Sequence, residues 1–257
     1  MLNRASYIFF FIIFFFCFVP FVFAQEKINH FDTDITLNKD GTVDVIETIK
    51  YDFGQEFRHG ILRKIPTLKI NQDNKKFILD FEILDIVDEN GTLYKYSESI
   101  LFKDNNRYLS LKIGDPNKTI TGVYIYKISY KVSGAITYFS DHDELYWNIT
   151  GDEWEIPILS SNSVINYPEE ISANNIGVKC LTGSSGSVKS ECLTSIQNNT
   201  ISVSLKNQLF SNEGLTVVAS FPKNYFAFLE PKLYTPFWET LFGKFLMLVF
   251  KSIFFVG

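Results

Sequence analysis

Residues 118–132 read KTITGVYIYKISYKV, and their pattern decides the fold class. Tyr124, Tyr126, Ile128, Tyr130 and Val132 fall on one face of an extended chain, and Lys127, Ser129 and Lys131 fall on the other. A period of two gives a strand with one buried and one wet face. The pattern recurs in both directions. In residues 28–53, INHFDTDITLNKDGTVDVIETIKYDF, Asp40-Gly41 separates two apolar-rich runs, a strong hairpin signal. Residues 77–97, FILDFEILDIVDENGTLYKYS, repeat the device with Asn90-Gly91, and Phe77, Leu79, Phe81 and Ile83 share a face. Downstream, SVINYP (163–168) and TISVSLKN (200–207) read as short strands, the second with Ile201, Val203 and Leu205 inward. GLTVVASFP (214–222) is apolar on both faces, as a central strand would be. Helical periodicity is scarce. The expectation is a mainly β protein, an antiparallel β-sandwich over residues 25–235, with ILSSNS (158–163) as a candidate divide between two lobes near residue 160.

Both ends of the chain are apolar. Arg4 precedes an uncharged run to Phe23, and Val22-Phe23-Ala24 precedes Gln25, which is the pattern of a signal peptide over residues 1–24. The run is longer than an ordinary signal core, so an uncleaved anchor is the alternative. Residues 236–257 are nearly long enough for a membrane span, which needs roughly 20 apolar residues. Lys244 and Lys251 lie seven apart, on one helical face. They would snorkel or meet a neighbour in a span. The competing reading is an amphipathic helix on the surface. The span is the reading adopted, which puts residues 25–235 outside the cytoplasm and the protein in a membrane. Removing residues 1–24 takes one cation and no acid, so a net charge of −5 becomes −6. That sign argues against a nucleic-acid partner.

Cys180 and Cys192 frame a Gly- and Ser-rich loop, CLTGSSGSVKSEC. In an exported domain the pair reads as a disulfide, which adds about 2–3 kcal/mol for so short a loop. A zinc site would need two more ligands, and no metal or cofactor is expected.

Residues 141–158, DHDELYWNITGDEWEIPI, hold six acids and two tryptophans. Asp141, Asp143, Asp152 and Glu153 are candidate carboxylates for glycan hydrolysis, which needs two such groups across a sugar. Trp147 and Trp154 would then be a sugar platform. The competing reading is a pair of strands about a Gly151 turn, with both tryptophans filling a core. Residues 54–66, GQEFRHGILRKIP, carry Arg58, His59, Arg63 and Lys64 beside apolar residues. They read as an anion site, or as a turn whose cations pair with the acidic one. The chain has no His-Glu-x-x-His, no Gly-x-Ser-x-Gly and no phosphate loop.

Taken in order, INHFDTDITLNKDGTVDVIETIKYDF, FRHGILRKIP, YKISYKVSGAITYFSDHDELYWNITGDEWEIPI, the Cys180–Cys192 loop and LFSNEGLTVVASFPKNYF resemble one family. It is the exported N-terminal domain of bacterial predicted membrane proteins, domain of unknown function family 2207 (YciQ-like). The resemblance covers about residues 26–226. It implies an extracytoplasmic β domain ahead of transmembrane helices and a further C-terminal region. It brings no catalytic residues. Against that pattern this chain stops at Gly257 and reads as truncated. The combined expectation is a non-catalytic binding or scaffolding domain at the outer face of a membrane. Arg58, His59, Arg63, Trp147 and Trp154 are the candidate contact residues. A cell-envelope polymer or another membrane protein is the expected partner.

Overall fold

The computed structural model describes residues 25–254 apart from 72, 74 and 104. The expected signal peptide therefore lies outside the described residues. The fold is built on a seven-stranded sheet. Its strands are β1 (Lys27–Leu37), β2 (Val43–Asp52), β6 (Asp80–Val87), β9 (Val123–Ser133), β12 (Asn162–Asn166), β14 (Cys192–Gln197) and β15 (Thr200–Leu205). They lie in the order β14-β15-β12-β1-β2-β9-β6. A four-stranded sheet contains β10 (Ile136–Tyr138), β11 (His142–Asn148), β16 (Gly214–Pro222) and β13 (Gly177–Gly183), in that order. Two three-stranded sheets complete the fold. One is β3 (Ile61–Pro66), β8 (Asn106–Ile113) and β7 (Tyr96–Lys103); the other is β17 (Lys232–Leu233), β5 (Lys76–Ile78) and β4 (Leu68–Ile70).

Alternation explains the large sheet. In β9, Tyr126, Ile128, Tyr130 and Val132 are all buried, as the period of two requires. Cross-strand register extends these positions into rows. Ile201, Ile165, Ile35, Val45, Tyr130 and Ile83 lie side by side across six strands. The neighbouring row is polar at its centre: Ser163 lies beside Thr33, and Thr33 beside Glu47. The Thr33 and Ser163 hydroxyls hydrogen-bond to each other. The other sheets cover this face. Phe81 of β6 meets Trp147 of β11, with ring centroids 6.4 Å apart. Arg63 of β3 reaches Glu47 of β2. The Cys180–Cys192 disulfide joins β13 to β14, and so ties the four-stranded sheet to the edge of the seven-stranded one.

Several expectations need correction. The sandwich is not wholly antiparallel, because β12 runs parallel to β1. Residue 160 divides no lobes: β12 and β15 pair into the sheet of β1, and β13 and β16 into that of β11. The two hairpin signals fare differently. Asp40-Gly41 closes a full β1–β2 hairpin, and Gly41 sits at φ +84°, where a Cβ would lie 2.5 Å from the Ala227 carbonyl oxygen. Asn90-Gly91 does turn the chain, but pairing ends at a Val87–Leu93 bridge before β7 departs to another sheet. Residues 77–83 are not one strand. The chain changes sheets at Leu79, whose N–H donates to the Thr67 carbonyl, and a bulge after Ile83 lets Ile86 turn inward.

The C-terminal segment forms a 3-10 turn, Phe237–Glu239, and one α-helix, α1 (Leu241–Phe254). Fourteen residues rise about 21 Å, short of a bilayer core of ~30 Å. Among the described residues no helix is long and apolar enough to cross a membrane. The helix nonetheless presents a broad apolar surface, with Leu241, Phe242, Phe245, Met247 and Leu248 all exposed beside an exposed Lys244.

Lys69 on β4 gives a pH test of this packing. Its Nζ donates to the Ile136 carbonyl (2.9 Å) and to Thr137 Oγ1 (3.3 Å) on β10. Burial lowers its pKa from 10.5 to about 8. The unfolded chain therefore binds the extra proton between those values, and folding gains stability as pH rises through that window. In urea titrations of the detergent-solubilised chain from pH 8 to 10.5, the parent midpoint should gain steadily on Lys69→Met. A constant difference between the two would contradict the burial of this ammonium group.

Candidate functional site

The two charged stretches converge in the core. Glu47 occupies an inward position of β2, between Val45 and Ile49, and is fully buried. Arg63 occupies the inward position of β3 between Ile61 and Ile65, and is 1% exposed. Arg63 Nε donates to Glu47 Oε2 at 2.8 Å and Nη2 to Oε1 at 2.7 Å, a two-pronged pair. Tyr130 OH donates to the same Oε1 at 2.7 Å. Arg63 Nη1 donates to the carbonyls of Lys64 and Thr150, each at 3.0 Å. The guanidinium carbon lies 5.2 Å from the Phe31 ring centre and 5.8 Å from that of Trp154. Burial disfavours the Arg63 charge, but the charge and hydrogen bonds of Glu47 outweigh it and hold the group protonated. Burial and the neighbouring carboxylate likewise push the Tyr130 pKa well up, so its proton stays.

Gly151 makes this arrangement feasible. It sits at φ +76°, and a Cβ there would lie 2.4 Å from Arg63 Nη1. The Thr150 carbonyl accepts from both Arg63 and Trp154 Nε1, the latter at 2.9 Å. Thr150 Oγ1 accepts from the Leu215 N–H at 2.9 Å. The turn at residues 149–154 is thus bolted to β3, β16 and the tryptophan.

The predicted contact residues therefore separate. Trp147 (5% exposed) and Trp154 (7%) are core side chains, and Arg63 is buried with them. Trp154 lies in an irregular segment; there is no second strand after Gly151. Arg58 and His59 remain at the surface. Arg58 Nε pairs with Glu26 at 2.6 Å, and His59 Nδ1 donates to the Lys118 carbonyl at 2.8 Å. An exposed patch of these five residues is not assembled, because alternation along β3 and β11 turns Arg63 and Trp147 inward and the turn after Gly151 buries Trp154. The cations do not pair with the Asp141–Glu144 acids; their partners are Glu26, Glu56, Glu47 and Glu153.

The four candidate acids are also engaged within the fold. Asp143 is buried, with Lys223 Nζ at 2.6 Å. Exposed Asp141 accepts from His142 Nδ1 at 2.8 Å. Asp152 accepts from Asn148 at 3.4 Å. Glu153 accepts from Lys103 (3.0 Å) and Tyr108 (3.2 Å), with Lys64 at 3.5 Å. Burial alone would raise the Glu153 pKa, but Lys103, Lys64 and Tyr108 outweigh it and hold the carboxyl below its usual range. Among the described residues no group of three or more His, Cys, Asp or Glu is placed to hold a metal ion.

A different region remains open to solvent. A cavity of about 800 Å³ lies at the root of α1, between β5, the β7–β8 turn and residues 233–239. Lys75, Lys76, Lys103, Phe102, Phe237 and Trp238 are among its lining groups, and none of the four candidate acids is. The sequence shows these residues only as a linker (LYTPFWE) and as scattered lysines. Nothing in a local pattern tells that two turns 30 residues apart meet there.

A family model described as the N-terminal domain of a predicted membrane protein, DUF2207, matches residues 27–221. The chain belongs to this family. Uncharacterized protein YciQ of Escherichia coli (strain K12) is 28% identical over 145 residues, which are 56% of this chain and 22% of that protein. The chain thus matches less than a quarter of that DUF2207 relative's length. Among solved structures, yeast LTA4 hydrolase in complex with bestatin aligns with 77% of this chain and 29% of its own, at TM-score 0.46 and 8% identity. A putative protease from Parabacteroides distasonis ATCC 8503 aligns with 78% and 41%, at TM-score 0.41 and 15% identity. Likeness this distant carries no statement about the activity of the DUF2207 domain.

Removing a buried tryptophan separates packing from recognition. Trp154→Ala should lower the stability of the chain by about 3–5 kcal/mol, read from urea unfolding. A Trp154→Ala protein as stable as its parent would mean that the indole is available to a ligand after all.

Proposed function

We propose that residues 25–235 form an extracytoplasmic, non-catalytic binding or scaffolding domain held at the outer face of a membrane. Residues 1–24 would direct export and residues 236–257 would sit in the bilayer. One contrast carries this reading. The acids Asp141, Asp143, Asp152 and Glu153 and the cations of residues 58–64 are engaged within the fold, whereas the apolar groups of residues 237–248 are exposed. An exposed apolar surface of this breadth needs an apolar environment, protein or lipid. Membership of a predicted membrane protein family favours lipid. The Cys180–Cys192 disulfide supports an oxidising compartment.

The partner surface would then be built from the exposed strands. All eight residues of β7 are exposed, and on one side the strand has no neighbour in its sheet. An open edge of this kind can pair with an extended segment of another chain.

The detergent-purified chain, incubated with isolated envelope polymers and assayed for bound protein and released reducing ends in the same tubes, tests the reading. Binding without release is the expected result. Release that disappears in Asp152→Asn or Glu153→Gln would make the acidic stretch an active site and overturn it.

A further inference from the structure

We propose that the cavity at the root of α1 binds an anionic phospholipid, with Lys75 and Lys76 at its phosphate and Phe102, Phe237 and Trp238 along its acyl chain. The inference rests on the membrane location proposed above and adds the chemistry of the ligand.

Three observations converge. The first is position. The cavity wall runs through Glu239, and α1 begins two residues later at Leu241. If the helix enters the bilayer, the cavity lies at the depth of the headgroups.

The second is the aromatic lining. Phe102 is 66% exposed, Phe237 57% and Trp238 51%. Phe102 comes from the far end of β7, and Phe237 and Trp238 from the 3-10 turn, so two separate elements present aromatic rings at one level. Tryptophan and its neighbours at the entry to an apolar helix match the interfacial belt of membrane proteins. An exposed apolar group of this extent has little reason to face water.

The third is charge. The chain is net negative, at −5. Among the described groups lining the cavity, Lys75 and Lys76 stand with one acid, Glu239. Lys76 Nζ donates to the Asn105 carbonyl, a neutral acceptor, at 2.5 Å. Lys103 bonds the Glu153 carboxylate, which Lys64 also approaches, so its charge is engaged within the fold and the phosphate falls to Lys75 and Lys76. A cationic pocket backed by aromatic rings suits an amphiphile with an anionic head. A free anion would leave the aromatic wall unused, and a neutral lipid would leave the lysines without a matching charge.

Brominated acyl chains test this directly, because bromine quenches tryptophan on contact and Trp238 is the exposed tryptophan. The full chain is reconstituted into phosphatidylcholine vesicles that hold either brominated phosphatidylglycerol or brominated phosphatidylcholine at equal mole fraction. Brominated phosphatidylglycerol should quench with a preference of roughly fivefold, about the worth of one lysine near an anionic surface. That preference should vanish in Lys75→Glu/Lys76→Glu, while the variant still floats with the vesicles. The quenching itself should vanish in Trp238→Phe. Equal quenching by the two lipids, or a preference that survives charge reversal, would overturn the site while leaving the membrane reading intact. A chain that fails to float with vesicles at all would overturn both.

Discussion

A carboxylate and a guanidinium share the centre of a β core, and their pairing constrains everything around them. Removing each ion from water costs several kcal/mol, which is recovered only when the geometry is good and the remaining donors find acceptors. Here both conditions hold. Glu47 takes two bonds from Arg63 and one from Tyr130, and Arg63 Nη1 finds two carbonyls. A one-residue slip of β2 would turn Glu47 to solvent and leave Arg63 buried alone. Register in the seven-stranded sheet, the seat of β3 upon it and the shape of the 149–154 turn are therefore fixed together.

This arrangement changes the meaning of the densest part of the sequence. A stretch rich in acids and tryptophan invites a reading as an active site. Its Trp154 packs against Phe31 and Tyr51, its Thr150 carbonyl holds Arg63, and its Glu153 gathers Tyr108 and two lysines from other strands. Those contacts belong to a clasp between sheets. Exposed apolar chemistry lies elsewhere, around Phe102, Trp238 and α1. A domain tied to its membrane at that end would present its other surfaces, β7 among them, to a partner.

Much of the fold was legible in local pattern. Alternation placed Tyr126, Ile128, Tyr130 and Val132 inward, Asp40-Gly41 closed its hairpin, and the two cysteines paired. What local pattern lacks is partner choice. A run such as SVINYP says strand but not that it lies parallel to β1, because that contact spans 130 residues. The change of sheet at Leu79 interrupts no alternation at all. For the site, the decisive signal was present. Val43-Val45-Glu47-Ile49-Tyr51 and Ile61-Arg63-Ile65 each put one charge, of opposite sign, on a core face. Reading Arg63 with its sequence neighbours Arg58 and Lys64 obscured this, since a strand separates neighbours and unites alternate residues. The cavity at the helix root had no such signal, being formed by segments far apart in the chain.

The central claim is that the conspicuous charges act on one another and not on a substrate. A double-mutant cycle measures this most directly, with Glu47→Gln, Arg63→Met and the double variant compared by urea unfolding of the detergent-solubilised chain. Each single change should cost about 3–5 kcal/mol, and the double should cost less than their sum by about 2–3 kcal/mol. Costs that add to within ~0.5 kcal/mol would mean the two groups are independent, and would contradict the account.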